Sequence, residues 1–278
     1  MFDRQTVLIT GSTTGVGAAL VDRFADAGWN VAATGLDLSV TPEYTAEQNV
    51  AALQLDVTDI ASIEQAVADT IETFGGIDLV INNAGFGTFG PIETASDHQV
   101  RNIFATNTLG GIFVSRAVLP HFRERGAGMI VFVTSLTAQV SSPFHALYHS
   151  TKWATEGFAE SLAYEVSAFG VTVKVCEPGT IDTGYYQRTV DNLEGQDEIY
   201  AEGIAKMQAG VAQSMVGAPK APEVAERIFA AATDGTGRYR YFVTDMAEVV
   251  YADRQSRGDE EWFQDMLAGY RESRPTSW

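Results

Sequence analysis

Tyr148 and Lys152 stand four residues apart in the stretch Tyr148-His149-Ser150-Thr151-Lys152. On a helix, that spacing puts both side chains on one face. A lysine ammonium beside a phenol favours the phenolate. Such a phenol can give a proton to a ketone oxygen, or take one from an alcohol, near neutral pH. An exposed Tyr/Lys stripe would have the same spacing, so the pair needs a cofactor and a third polar group beside it.

The rest of the chain must supply elements that bring those groups together. At 278 residues and 45% hydrophobic, it fits one large α/β domain covering residues 1–278. Strand-like runs at 7–10, 31–34, 51–55, 79–82, 129–134, 171–177 and 239–243 are separated by stretches long enough for crossover helices. In the first such stretch Val16, Leu20 and Phe24 recur at helical spacing before Gly28. This rhythm predicts a Rossmann-like, doubly wound parallel sheet of about seven strands, with ligands at the carboxyl ends of the strands. Two segments interrupt it. Residues 37–49 form an acidic, Pro42-containing loop where a crossover helix is expected. Residues 184–219 carry Tyr185, Tyr186, Tyr200, Met207 and Met215 and suit a substrate-covering segment. Near the end, Trp262, Phe263, Met266, Leu267 and Tyr270 make an amphipathic stripe for core or subunit packing.

Net charge is −18 and the pI about 4.5. Nucleic acid and anionic membrane surfaces are poor partners for such a chain. No run of 18 or more apolar residues is present, so no transmembrane helix is expected. Met1 to Gln5 lead straight into an apolar strand, leaving no room for a signal peptide. The single cysteine, Cys176, lies in an apolar run, where burial is expected, and fits a reducing cytoplasm. His98, His121, His145 and His149 lack metal-ligand spacing, and no metal site is expected. Packing or surface roles suit them, with His145 near the border of a pocket.

Thr10-Gly11-Ser12-Thr13-Thr14-Gly15-Val16-Gly17 joins the first strand to the first helix. Glycines there allow a tight turn and close approach of backbone to phosphate, and the helix N-terminus offers N–H groups to a pyrophosphate. With this loop on the page, the chain resembles the short-chain dehydrogenase/reductase family over nearly its whole length. Thr10-Gly11-x-x-x-Gly15-x-Gly17, with Thr13, Thr14 and Val16 in its gaps, matches the family's cofactor loop. Asn82-Asn83-Ala84-Gly85 matches its second signature. Asn107, Ser135, Tyr148 and Lys152 match its catalytic tetrad, with Ser135 thirteen residues before Tyr148. Asp56-Val57 resembles the pair that contacts adenine. Pro178-Gly179, followed by Ile181 and Thr183, resembles the segment that holds the nicotinamide.

The resemblance implies an oxidoreductase that interconverts a secondary alcohol and a ketone. Ser135 would polarise the substrate oxygen and Tyr148 would be its acid/base. Lys152 would bond the nicotinamide ribose, and Asn107 would position a water joining Lys152 to solvent. The second strand ends Thr34-Gly35-Leu36-Asp37 without a cation for a 2′-phosphate, and Asp37, Glu43 and Glu47 make the next loop acidic. NAD is therefore expected rather than NADP, although Asp37 is displaced from the usual acidic position. Phe86, Phe89, Leu136, Pro143, Phe144, Leu147, Tyr185 and Tyr186 are candidate pocket walls for an apolar alcohol or ketone. A lyase or epimerase on the same fold, or a non-enzymatic dinucleotide sensor, is the alternative. The resemblance also implies a homodimer or homotetramer formed through long helices around 98–125 and 150–169.

Overall fold

The computed structural model describes residues 4–40, 44, 49–184, 189 and 198–271. Seven strands form one sheet in the order β3-β2-β1-β4-β5-β6-β7. They are β1 (Thr6–Ile9), β2 (Asn30–Gly35), β3 (Val50–Gln54), β4 (Leu79–Asn82), β5 (Gly128–Val133), β6 (Val171–Glu177) and β7 (Arg240–Phe242). Every neighbouring pair is parallel. The carboxyl ends of all seven strands therefore lie on one edge. The chain order reverses between β1 and β4, and that crevice is where such sheets take their ligands.

Helices cover both faces. On one lie α2 (Ile60–Phe74), α4 (Gly111–Arg125) and α5 (Ala146–Val166); on the other lie α1 (Gly15–Asp26) and α7 (Ala221–Thr233). Strand alternation divides the core between them. Leu8, Val80 and Ile130 pack with Val67, Val118 and Leu162, whereas Val7, Ile81 and Val131 pack with Leu20, Phe24 and Ile228. Cys176 is completely buried in the second cluster. Burial pushes its thiol pKa up to about 12, as expected of a packing cysteine.

The remaining helices are α3 (Asp97–Phe104), α6 (Ala201–Ser214), α8 (Asp245–Arg257) and α9 (Asp259–Arg271). Local signals explain the ends of several. Asp59 caps α2 by accepting from the Ala61 N–H, and Gly75 ends it with φ 85°. Ser96 and Gln99 form a capping box at α3. By length and composition, the run Asp97–Arg125 is long and apolar enough to cross a membrane. Ile103, Val114, Val118 and Phe122 on it are buried, as in the core helix of a folded domain.

The loop expected after β2 holds a short 3-10 turn, Leu38–Val40; residues 41–43 and 45–48, with Glu43 and Glu47, lie outside the described residues. Of the core or subunit packing expected for the stripe on α9, core packing is not what the structure shows. Phe263 and Met266 stay exposed, and Tyr270 meets the Phe144 ring at 6.0 Å.

Candidate active site

A cavity of about 900 Å³ opens at the carboxyl edge of the sheet. Its floor is the turn between β1 and α1. Gly11 and Gly15 take φ of 63° and 60°, which glycine adopts without strain. Thr14 is the N-cap of α1 and makes no side-chain cap bond, so the first helical N–H groups face the cavity without that competitor. A Cβ added at Gly17 would sit 2.3 Å from the Gly11 carbonyl oxygen and 2.6 Å from Asn83 Nδ2. Gly17→Ala should therefore push the turn apart and raise the dissociation constant of a dinucleotide ligand at least tenfold in a fluorescence titration.

The segment after β4 locks this turn. Asn83 Nδ2 donates to the carbonyls of Thr10 (3.0 Å) and Gly11 (2.9 Å). Thr10 Oγ1 accepts from the N–H groups of Asn83 and Ala84, both at 3.0 Å. These side-chain bonds tie the segment after β4 to the end of β1. Asn82 differs: its Nδ2 donates to Ser115 Oγ on α4 at 3.4 Å.

Along the wall, Thr13, Thr14, Val16, Asp37, Asp56, Val57, Gly85, Ile181 and Thr183 all line the cavity, as do Pro178 and Gly179. Asp37 is fully exposed and accepts from the Ser39 N–H at 2.9 Å, and its hydrogen bonds hold the carboxyl below its usual range. Asp56 Oδ1 accepts from the N–H and the hydroxyl of Thr58. Gly179 donates its N–H to Thr244 Oγ1 at 2.9 Å, and Thr244 also caps α8. Met246, the second residue of that helix, lines the cavity as well. Neither Thr244 nor Met246 has a signal in the sequence pattern, because nothing in their spacing pairs the end of the last strand with Gly179.

Ser135, Tyr148 and Lys152 meet on the same cavity. Ser135 follows β5 by two residues and Tyr148 and Lys152 ride one face of α5. Ser135 Oγ accepts from the Thr137 N–H at 3.1 Å, and among the described residues its own proton finds only a long contact, 3.5 Å, to the Pro178 carbonyl. The hydroxyl is thus oriented and can still donate. Lys152 Nζ donates to the Val133 carbonyl at 3.1 Å and stands 5.7 Å from the centroid of the Tyr148 ring.

Asn107 is placed differently. It lies in a π-helical stretch, Ala105–Gly110, between α3 and α4. Such widened turns are uncommon and frequent at functional sites. Its side chain clamps Phe86, accepting from the Phe86 N–H at 3.0 Å and donating to the Phe86 carbonyl at 2.8 Å. It does not line the main cavity. With Lys152, Asn82 and Thr155 it borders a separate void of about 10 Å³ beneath, close to the space one water needs.

The expected pocket walls divide. Phe86 and Leu136 line the cavity, joined by Val140, Met207, Val211 and Met215. Phe89, Phe144 and Leu147 instead border a small groove outside it, and Pro143 borders neither. The cause is Phe144, whose φ of 65° turns its ring into a cluster with Phe89, Tyr200 and Tyr270. Tyr185 and Tyr186 lie outside the described residues. His145 and His149 both line the cavity. His149 is buried there and lines the cavity beside His145, where only a packing or surface role was expected of it.

The model of the short chain dehydrogenase family matches residues 5–194. An uncharacterised oxidoreductase of Schizosaccharomyces pombe is 34% identical over 224 residues, covering 78% of this chain and 90% of that protein. The mouse 17-beta-hydroxysteroid dehydrogenase type 1 is 33% identical over 258 residues, covering 87% and 74%. Among solved structures, a short-chain dehydrogenase from Streptomyces avermitilis superposes with a TM-score of 0.80 at 27% identity, covering 97% of both chains. Two neighbours at 22% identity share the fold. One, from Burkholderia phymatum with NAD, has a TM-score of 0.78 and covers 92% of this chain and 94% of that one. The other, from Burkholderia cenocepacia with NADP, has 0.76 and covers 96% and 99%. The chain belongs to the short-chain dehydrogenase family. It is an oxidoreductase of the NAD(P)-dependent kind.

Proposed function

We propose that this protein interconverts a secondary alcohol and a ketone on a mainly apolar substrate, with NAD(H) as cofactor and Tyr148 as acid/base. The convergence of Ser135, Tyr148 and Lys152 on one wall of a cavity floored by a glycine turn carries this reading. The glycine turn and the open N-terminus of α1 suit a pyrophosphate, and the cavity is large enough for a dinucleotide with a substrate. In this reading Asp37 accepts from a ribose hydroxyl, and Asp56 and Val57 flank the adenine. Asn83, Ala84 and Gly85 back the turn, while Pro178, Gly179, Ile181 and Thr183 hold the nicotinamide end. When bound, the cofactor supplies or accepts the hydride.

The protein's own groups handle the proton. Ser135 donates to the substrate oxygen and orients it; Tyr148 delivers the proton to that oxygen, or removes it in the oxidative direction. Lys152 keeps a positive charge beside the phenol. Asn107 shapes the void next to Lys152 through which a water relays the proton. The walls beyond Tyr148 are apolar and methionine-rich, Val140, Met207, Val211 and Met215, which favours an adaptable hydrophobic pocket. The helix that carries Met207 and Val211 covers the substrate. The hydroxysteroid named for the mouse relative is an alcohol of this broad kind.

The test is a panel of apolar ketones and alcohols, followed by absorbance of the reduced cofactor. Turnover is expected, with a KM for NADH at least tenfold below that for NADPH. Far tighter NADPH would overturn the cofactor assignment. Cofactor binding without turnover on any compound would favour a dinucleotide sensor. Self-association is part of the proposal: Trp153 and Tyr164 on α5 and Phe169 just beyond it are exposed, as is Leu109 at the head of α4.

A further inference from the structure

Most of the substrate end of the cavity is apolar, but one corner is not. Ser141, Ser142, His145 and His149 meet there. Their hydrogen bonds fix the direction of each proton. His149 Nδ1 is 3.0 Å from the Thr137 carbonyl, which can only accept, so Nδ1 carries the proton and Nε2 is the acceptor. Ser142 Oγ lies 3.1 Å from that Nε2 and must donate to it. The Ser142 oxygen then faces His145 Nδ1 at 3.4 Å, and the same Nδ1 is 3.2 Å from the Pro143 carbonyl. Nδ1 of His145 is therefore also the protonated nitrogen. A one-way chain runs from His145 through Ser142 and His149 to the main chain two residues after Ser135.

The chain leaves His145 Nε2 as a bare acceptor with no hydrogen-bond partner among the described residues. The ring is held on its other side by Phe89, 4.8 Å between centroids. His145, the N-cap of α5, stands three residues before Tyr148, and both side chains line the same cavity. Burial, with His149 adding to it, pushes the His145 pKa down to about 4. The imidazole is thus neutral at working pH and keeps its lone pair.

From this geometry we infer that His145 is a specificity-determining residue whose Nε2 accepts a hydrogen bond from a second polar group of the substrate, an O–H or N–H donor carried on an otherwise apolar alcohol or ketone. The inference rests on the oxidoreductase reading above and narrows its substrate class. A pocket that presents a lone acceptor discriminates against a compound without a donor, because the acceptor is then desolvated and unpaired. It also discriminates against an ether or carbonyl at the same place, since two acceptors face each other.

The test uses nonan-2-one and its derivatives with one hydroxyl at successive carbons, each beside its methyl ether. At least one hydroxyketone should exceed the parent ketone in kcat/KM by about tenfold, the value of one good neutral hydrogen bond. Its methyl ether should show no such gain. In His145→Phe, which keeps a ring against Phe89, the ratio of hydroxyketone to parent should fall below threefold; His145→Gln, which can still accept, should restore part of it. The ratio is internal to each variant, so a general loss of activity does not disturb it. Parent and hydroxyketones turned over equally well would overturn the inference and leave the oxidoreductase reading intact. So would a preference that survives His145→Phe. No turnover on parent or hydroxyketones, with either cofactor, would overturn that reading and this inference with it.

Discussion

Tyr148→Phe should lower kcat for ketone reduction by about 10²- to 10⁴-fold, the usual worth of a positioned acid/base group. The ring stays. Its contacts with Lys152, 5.7 Å from the centroid, and with the His149 ring at 6.3 Å need nothing from the hydroxyl. Cofactor binding should therefore change by no more than about twofold, because the turn between β1 and α1 and the Asn83 bonds that brace it are untouched. The loss should sit in kcat, and kcat/KM should fall with it, as for an interaction made in the transition state. Single-turnover kinetics with NADH would read the chemical step directly. A variant that keeps wild-type kcat would remove Tyr148 from the mechanism and leave Ser135 to be tested as the proton source.

Much of this site is legible because its residues follow strand ends in sequence. Buried parallel strands announce themselves as apolar runs, and all seven begin and end within one residue of where the sequence placed them; β4 and β6 are exact, and β7 begins and ends one residue inside its run. A glycine turn, an asparagine pair and a Ser–Tyr–Lys set that follow such runs must then converge at one edge. What stays hidden depends on backbone states or on pairings between distant elements. The π-helical turn that sets Asn107 beside the lower void leaves no mark on hydrophobic periodicity. The left-handed backbone at Phe144, which goes with two aromatic walls, Phe89 and Phe144, lying outside the cavity, is invisible in a phenylalanine. The histidine–serine chain needs a loop from Gln139 to His145 to fold back over α5, and spacing alone does not show that.

The same blindness to distant pairings hides the ion cluster beneath the site, where the largest stability effect is expected. Glu156 lies one turn after Lys152 on α5, Glu177 ends β6 just before Pro178, and Arg240 opens β7. Arg240 bonds both carboxylates, at 2.9 Å to Glu156 and through Nε to Glu177. Glu156 also accepts from the Thr134 hydroxyl at 2.7 Å, next to Ser135. Glu177 is wholly buried, accepts from Gln139 Nε2 at 3.3 Å through Oε1, and leaves Oε2 with no partner among the described residues. One guanidinium thus serves two buried carboxylates. Removing it strands both, and Arg240→Met should cost about 3–5 kcal/mol in urea unfolding, the usual penalty for breaking a buried pair from one side.

The same cluster sets a pH slope. Burial first, then the Glu156 charge, raise the Glu177 pKa to about 8, against an ordinary value near 4.5. The folded protein therefore holds a proton that the unfolded chain releases. Its contribution is complete below about pH 4.5 and is lost as pH rises through about 8. The wild-type melting temperature should accordingly fall between pH 5.5 and pH 8.5, and Glu177→Gln, whose amide carries no titrating proton, should flatten that slope. Glu177→Gln should also recover part of the loss in Arg240→Met, since one stranded carboxylate is gone. A wild-type slope that Glu177→Gln leaves unchanged, or an Arg240→Met variant as stable as wild type, would show that the two carboxylates do not share one proton under Arg240. Glu156 follows Lys152 by one turn, Glu177 precedes Pro178, and Thr134, which donates to Glu156, precedes Ser135, so the charge balance under Arg240 also fixes the three segments that meet at the substrate.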